Sequence, residues 1–131
     1  MRDEWLITFE MPAPLLSMNQ KPSRTLTEYK QAWRDTAYYR YIERWPGVGP
    51  KGRALPPCEA RILLPARTRV RRDSANFQAT VKPIIDGITM AGAWPDDTDE
   101  YVDQLNPKFY HPTAGEKMTV FIRLVARKES A

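Results

Sequence analysis

Thiols and imidazoles are almost absent from this chain. In 131 residues there is one cysteine, Cys58, and one histidine, His111. A lone thiol forms no internal disulfide, so a reducing cytoplasm is the expected compartment. Cys58 reads as a small, partly buried residue and not as a nucleophile. Its only possible imidazole partner lies between Tyr110 and Pro112 in an expected turn. Glycine is also scarce, six residues against twelve prolines, which predicts many short, stiff connections. No apolar run approaches the length of a membrane span. Met1-Arg2-Asp3-Glu4 is followed by no apolar targeting core. Internal repeats and low-complexity segments are missing as well.

What is present fits one domain over residues 1–131. Charged residues make up 27% of the chain and the net charge is +4, mildly basic and suited to a polyanionic partner. The basic residues are bunched. Arg61, Arg67, Arg69, Arg71 and Arg72 fall in one stretch.

Periodicity places the elements. Trp5, Ile7, Phe9 and Met11 alternate with Leu6, Thr8 and Glu10, a strand with one buried face that ends at Pro12 and Pro14. Thr25 and Glu28 have the spacing of a capping box. Leu26, Tyr29, Trp33, Ala37 and Tyr41 follow at helical spacing, predicting a helix over 26–44 that Pro46 and Gly47 stop. Its aromatic stripe could stack bases, but the periodicity favours a stripe facing the core or a dimer partner. Residues 46–57 read as a linker, or as a basic loop in which Lys51 and Arg53 touch DNA. A strand is expected over 58–66. After it, Phe77, Val81, Ile84, Ile85 and Ile88 mark a second helix with Gly92 as its C-terminal cap. Pro83 predicts that its regular part begins near Ala79 or Thr80, after an irregular lead-in over 74–78. Residues 93–100 form an acidic turn, and 101–110 a strand weakened by Pro107. Met118, Val120, Ile122 and Leu124 mark a final strand, with a frayed tail from Arg127. The fold class is α/β in the α+β sense: a mixed sheet of about four strands with two main helices.

Chemistry concentrates around the second helix. Asp73 and Asn76 stand beside the arginines, Lys82 and Asp86 lie within the helix, and Asp96 and Asp97 lie in the turn beyond it. Hard divalent cations need converging carboxylate oxygens, and a phosphodiester needs positive charge around it. Together these requirements describe a Mg²⁺-dependent nuclease site. Each residue also has an ordinary role available. Asp73 could cap a helix, Lys82 and Asp86 could be a surface i,i+4 pair, and the arginines could form a solvated face. Asp73 and Asp97 can meet only through a second chain or a bend at Pro83.

The run Arg72-Asp73-x-x-Asn76, then Lys82, then Asp86-Gly87, then Ala91-Gly92-x-x-x-Asp96-Asp97 resembles the signature of the RusA-type Holliday-junction resolvases, common in phages and prophages. The opening Phe9-x-Met11-Pro12-x-Pro14-x-x-Ser17-x-Asn19 is similar to that family's N-terminal strand and turn. The resemblance implies a homodimeric endodeoxyribonuclease that nicks four-way DNA junctions with Mg²⁺ or Mn²⁺, inside a bacterial host cell, with a phage or prophage origin. It assigns catalysis to Asp73, Lys82 and Asp97, with about three extra residues between Gln78 and Lys82. Asp86 and Asp96 join Asp73 and Asp97 as metal ligands. Arg67, Arg69, Arg71, Arg72, Asn76 and Asn19 contact DNA. One departure matters: many members carry a second aspartate where this chain has Ala75. Either Asp86, Asp96 or Asp99 fills that place, or the protein binds branched DNA and cuts it poorly. A nuclease of other specificity and a basic protein-interaction domain are the remaining readings.

Overall fold

Alternating large apolar side chains build the sheet, and the computed structural model describes residues 3–46, 54–68 and 72–128 of it and its surroundings. Strand β1 runs Glu4–Glu10 and helix α1 Arg24–Arg44. Strand β2 runs Cys58–Pro65. A 3-10 helix, Ser74–Phe77, leads directly into helix α2, Gln78–Met90. Strands β3 (Val102–Gln104), β4 (Lys108–Tyr110) and β5 (Thr119–Ala126) follow. This is a mixed α+β fold with a five-stranded sheet and two main helices. The strand beyond the expected four comes from residues 101–110. Pro107 lacks the N–H a continuous ladder needs, so the segment divides into β3 and β4, which pair in parallel with successive parts of β2.

The sheet order is β1-β5-β2-β3, with β5 antiparallel to both neighbours. Ile7 pairs with Ile122 and Ile122 with Ile62, giving a row of isoleucines across three strands. Strands that run parallel need crossovers, and α1 (β1 to β2, across β5) and α2 (β2 to its neighbour β3) supply them. Both step the same way across the sheet, so the right-handed sense of such connections puts both helices on one face. Trp33, Ala37 and Tyr41 of α1 and Val81, Ile84, Ile85 and Ile88 of α2 are buried there against the isoleucine row. The α1 stripe is therefore a core stripe. The opposite face carries exposed Leu6 and the Arg123–Glu4 and Arg61–Glu59 pairs.

Three local details differ from the sequence reading. Helix α1 is capped by Ser23, whose Oγ accepts from the Leu26 N–H at 3.0 Å. No Thr25–Glu28 box forms; Glu28 pairs with Arg24 instead. Ser23 follows a proline in extended backbone, the conformation an N-cap requires. Second, α2 tolerates Pro83 well inside its length and starts at Gln78, slightly earlier than the proline implied. The irregular lead-in is the 3-10 turn. Third, Arg127 is held, not frayed: it donates to Asp103 Oδ2 at 3.0 Å and to the Glu100 carbonyl at 3.1 Å. The loop readings for Lys51 and Arg53 fall outside the described residues. No helix among the described residues is long and apolar enough to cross a membrane.

Candidate active site

Helix α2 has one face for the core and one for chemistry. Its isoleucines are buried, so Lys82 and Asp86, four residues apart, share the outer surface. Lys82 Nζ lies 3.0 Å from Asp86 Oδ1. At its end α2 closes with paired bonds from the Gly92 N–H to the Thr89 carbonyl (3.0 Å) and from the Ala93 N–H to the Ile88 carbonyl (3.3 Å). Gly92 has φ +109°, a left-handed conformation that glycine adopts without a steric penalty. The chain turns back sharply. Trp94 is buried and its Nε1–H donates to the Pro56 carbonyl at 2.9 Å, fixing the turn that follows.

That turn delivers Asp97 to Lys82, fifteen residues away in sequence, where Nζ bonds to Asp97 Oδ2. The Asp97 N–H donates to Asp96 Oδ1 at 2.6 Å, and Gln104 Nε2 donates to the Asp97 carbonyl at 3.3 Å. Gln78 Nε2 in turn holds the Gln104 carbonyl and Asn106 Oδ1, at 3.0 and 2.8 Å. The cluster is thus tied to the end of β3.

Its electrostatics are asymmetric. The hydrogen bond from Lys82 holds the Asp97 carboxyl below the usual aspartate range, and contact with Asp86 lowers it further. Burial pushes Asp86 up, and its hydrogen bond to Asp97 adds to that against the pull of Lys82. For Lys82 burial acts downward, but the bonds to Asp97 and Asp86 together outweigh it and hold the ammonium above its ordinary range. Two carboxylates of opposite tendency thus share one ammonium. As half-exposed ion pairs they add little to stability.

The other expected site residues that the structure describes are not joined to this cluster by any described ion pair. Asp73 is exposed and caps the 3-10 helix, its Oδ1 accepting from the Ala75 N–H at 3.1 Å. No described contact joins it to Asp97. Asp99 offers its carbonyl to Arg127. Among the described residues, no group of three or more His, Cys, Asp or Glu side chains converges as a cation cage. Arg67 donates to the Thr113 and Glu116 carbonyls at 3.1 and 3.0 Å. Arg72 bonds to Thr68 and lies over the Phe109 ring at 5.5 Å. Both guanidiniums therefore brace loops. Arg69 and Arg71 fall outside the described residues. Asn19 is exposed beside Met18, whose N–H donates to the Asn76 carbonyl at 2.7 Å, so those two positions are neighbours. Thr80 secures the same loop: its buried hydroxyl accepts from the Leu16 N–H and donates to the Leu16 carbonyl, both at 2.8 Å. Cys58 is fully buried and its thiol is pushed up to about 11 by that burial, which leaves it inert at neutral pH.

A cleft of about 650 Å³ opens beside the cluster, between α1 and α2. Thr27, Lys30, Gln31 and Arg34 form its α1 wall. Sequence reading passed over them, although they recur at i, i+3, i+4 and i+7, the same spacing that reveals a buried stripe. Comparison with protein-family models and with curated proteins returns no match.

Proposed function

We propose that this protein is a Mg²⁺- or Mn²⁺-dependent endodeoxyribonuclease that nicks four-way DNA junctions, in the manner of the RusA-type resolvases. The observation that carries the reading is the meeting of Lys82, Asp86 and Asp97 from two segments, in the order that the resemblance expects. Mg²⁺ is commonly held through one or two carboxylates, with waters and substrate phosphates completing its shell. Asp86 and Asp97 match that demand and would hold the ion. Asp86, partly buried and harder to ionise beside Asp97, would be eased by a further cation. When bound, the ion supplies an activated water and neutralises phosphate charge.

The remaining roles belong to the chain itself. Lys82 keeps its proton throughout, because both neighbours favour the ammonium, and it offers that charge to the phosphorane as negative charge builds on the phosphate oxygens. Asp96 fixes the Asp97 backbone, and Gln104 holds the same residue from the other side. Preorganisation of this kind lets the carboxylate act without rearrangement. A homodimer would place two such sites on the two equivalent strands of a junction. A bacterial cytoplasm, with phage or prophage DNA as substrate, is the setting the resemblance implies.

The second reading is a branched-DNA binder with little cleavage. Ala75 brings no ligand, and Asp73 is engaged in capping. A labelled synthetic junction incubated with Mg²⁺ or Mn²⁺ separates the two. Paired nicks that vanish in Asp97→Asn support the nuclease. Tight binding with intact strands favours the binder, and equal cutting of flap, duplex or RNA points to another specificity.

A further inference from the structure

The α1 wall of the cleft has no part in the chemistry just described, yet its charge is unbalanced. Lys30, Arg34 and Lys82 line the cleft with Asp86 as its carboxylate. Lys82 is already matched by Asp86 and Asp97. Lys30 is exposed and, among the described residues, has no carboxylate within ion-pair distance. Arg34 hydrogen-bonds to Gln31 Oε1 through Nη2, and its Nε lies 3.8 Å from Asp35 Oδ1. That Nε is a buried donor without a hydrogen-bond acceptor. A buried donor left unmatched is costly, and a guanidinium is shaped to give two such bonds to one phosphate.

The fold explains why Arg34 stands there. A Cβ on Gly87 would lie 2.2 Å from the Arg34 carbonyl oxygen and 3.1 Å from the Tyr38 nitrogen. The two helices cross in backbone contact at that glycine, which sets Arg34 opposite Asp86. From the crossing the cleft opens between the N-terminal halves of both helices, reaching Met18 in the loop after β1 and Gln104 at the end of β3. It therefore lies outside the carboxyl ends of the parallel strands, the general position of ligand crevices in such sheets. Arg34 also borders the adjoining hollow of about 290 Å³ that contains Asp86, Asp96 and Asp97.

We propose that this α1 wall binds the sugar-phosphate backbone of one DNA strand, with Arg34 on the phosphate next to the Lys82–Asp86–Asp97 cluster and Lys30 on a phosphate one helical turn further along. The assignment rests on the nuclease reading and adds to it the track of the strand. It assigns phosphate contacts to residues other than Arg67 and Arg72, which brace loops.

The test is binding without turnover. Fluorescence anisotropy of a labelled four-way junction and a labelled single strand, in chelator and over a salt series, is compared for wild type, Lys30→Gln, Arg34→Gln, Arg34→Lys and the double glutamine variant. Lys117→Gln, at a distant turn beside Glu10, serves as control. Each glutamine change is expected to weaken binding to both probes and to flatten the log-log salt slope by about one unit. Arg34→Lys restores the slope with part of the affinity, and Lys117→Gln changes neither. If wild type binds and cuts while the double variant keeps both affinity and slope, the α1 track is wrong and the nuclease reading stands. If wild type neither binds nor cuts, both fall. Circular dichroism melting checks folding. Should Arg34→Gln unfold, exposed Lys30 decides the outcome alone.

Discussion

Asp73 precedes α2 by one 3-10 turn, and Asp97 follows α2 across a tight reversal. Both are aspartates in connecting segments, and both have ordinary surface chemistry in the sequence. The fold employs them differently. Asp73 lies nearest the arginines in sequence, but its carboxylate bonds to backbone two residues away. Asp97 lies far from them, but it meets a lysine from the middle of the helix, with Asp86 in contact and Asp96 and Gln104 steadying it. Local bonds make a cap, and long-range bonds make a constellation. The neighbours that give a carboxylate its chemistry are those that folding brings.

The sharpest challenge to this contrast is to remove the charge alone at each position. Asp97→Asn is expected to lower Mg²⁺-dependent junction cleavage by about 10²–10⁴-fold, the usual scale for a positioned catalytic group. Asp73→Asn, which keeps a capping side chain, should lose less than a tenth as much. Single-turnover rates on one junction decide it, and equal losses would put Asp73 in the site after all. Next in size is the crossing of the helices. In a helix interior Gly→Ala ordinarily stabilises by up to about 1 kcal/mol, but at Gly87 the new methyl collides with backbone. A net destabilisation of about 1–3 kcal/mol is expected for Gly87→Ala, with slower cleavage because Asp86 shifts. Urea unfolding and kinetics on the same preparation measure both.

Capping gives a smaller effect. Asp73→Ala should cost about 0.5–2 kcal/mol while Asp73→Asn stays near wild type; identical unfolding midpoints for the two would deny the cap. The smallest effect is at the sheet surface. The hydrogen bond from Arg123 holds the exposed Glu4 carboxyl below its ordinary value of 4.5. A depressed carboxyl contributes stability above that value and loses it as pH falls through the depressed one. Glu4→Gln should therefore lower stability slightly at pH 7 and converge with wild type in acid. A gap that persists there would exclude the ion pair as its source.

Much of this architecture was readable because alternation and helical spacing directly report burial. The rows through Ile7, Ile62 and Ile122 and the Trp33–Ala37–Tyr41 stripe follow from period alone. Gly92 was legible because few residues other than glycine tolerate its backbone. The start of α1 was less so, since Ser23, Thr25 and Thr27 are all capping types and only the backbone at Ser23 chooses among them. Half of the cluster was visible as an i,i+4 pair. Asp97 entered only through the resemblance, since periodicity cannot show a meeting that depends on the Gly92 reversal and on Trp94 finding the Pro56 carbonyl. Arg34 was harder still: its significance comes from Gly87 on another helix, and a sequence lists a glycine without saying what approaches it.

The sealed thiol of Cys58 has a practical corollary. With its single native sulfhydryl buried and held in the protonated form, the protein can take site-directed probes without first removing Cys58. A cysteine placed at solvent-facing Met90 would take a maleimide dye at neutral pH while Cys58 stays dark. A fluorophore there, a few residues beyond Asp86 on the same helix, could follow substrate docking in real time.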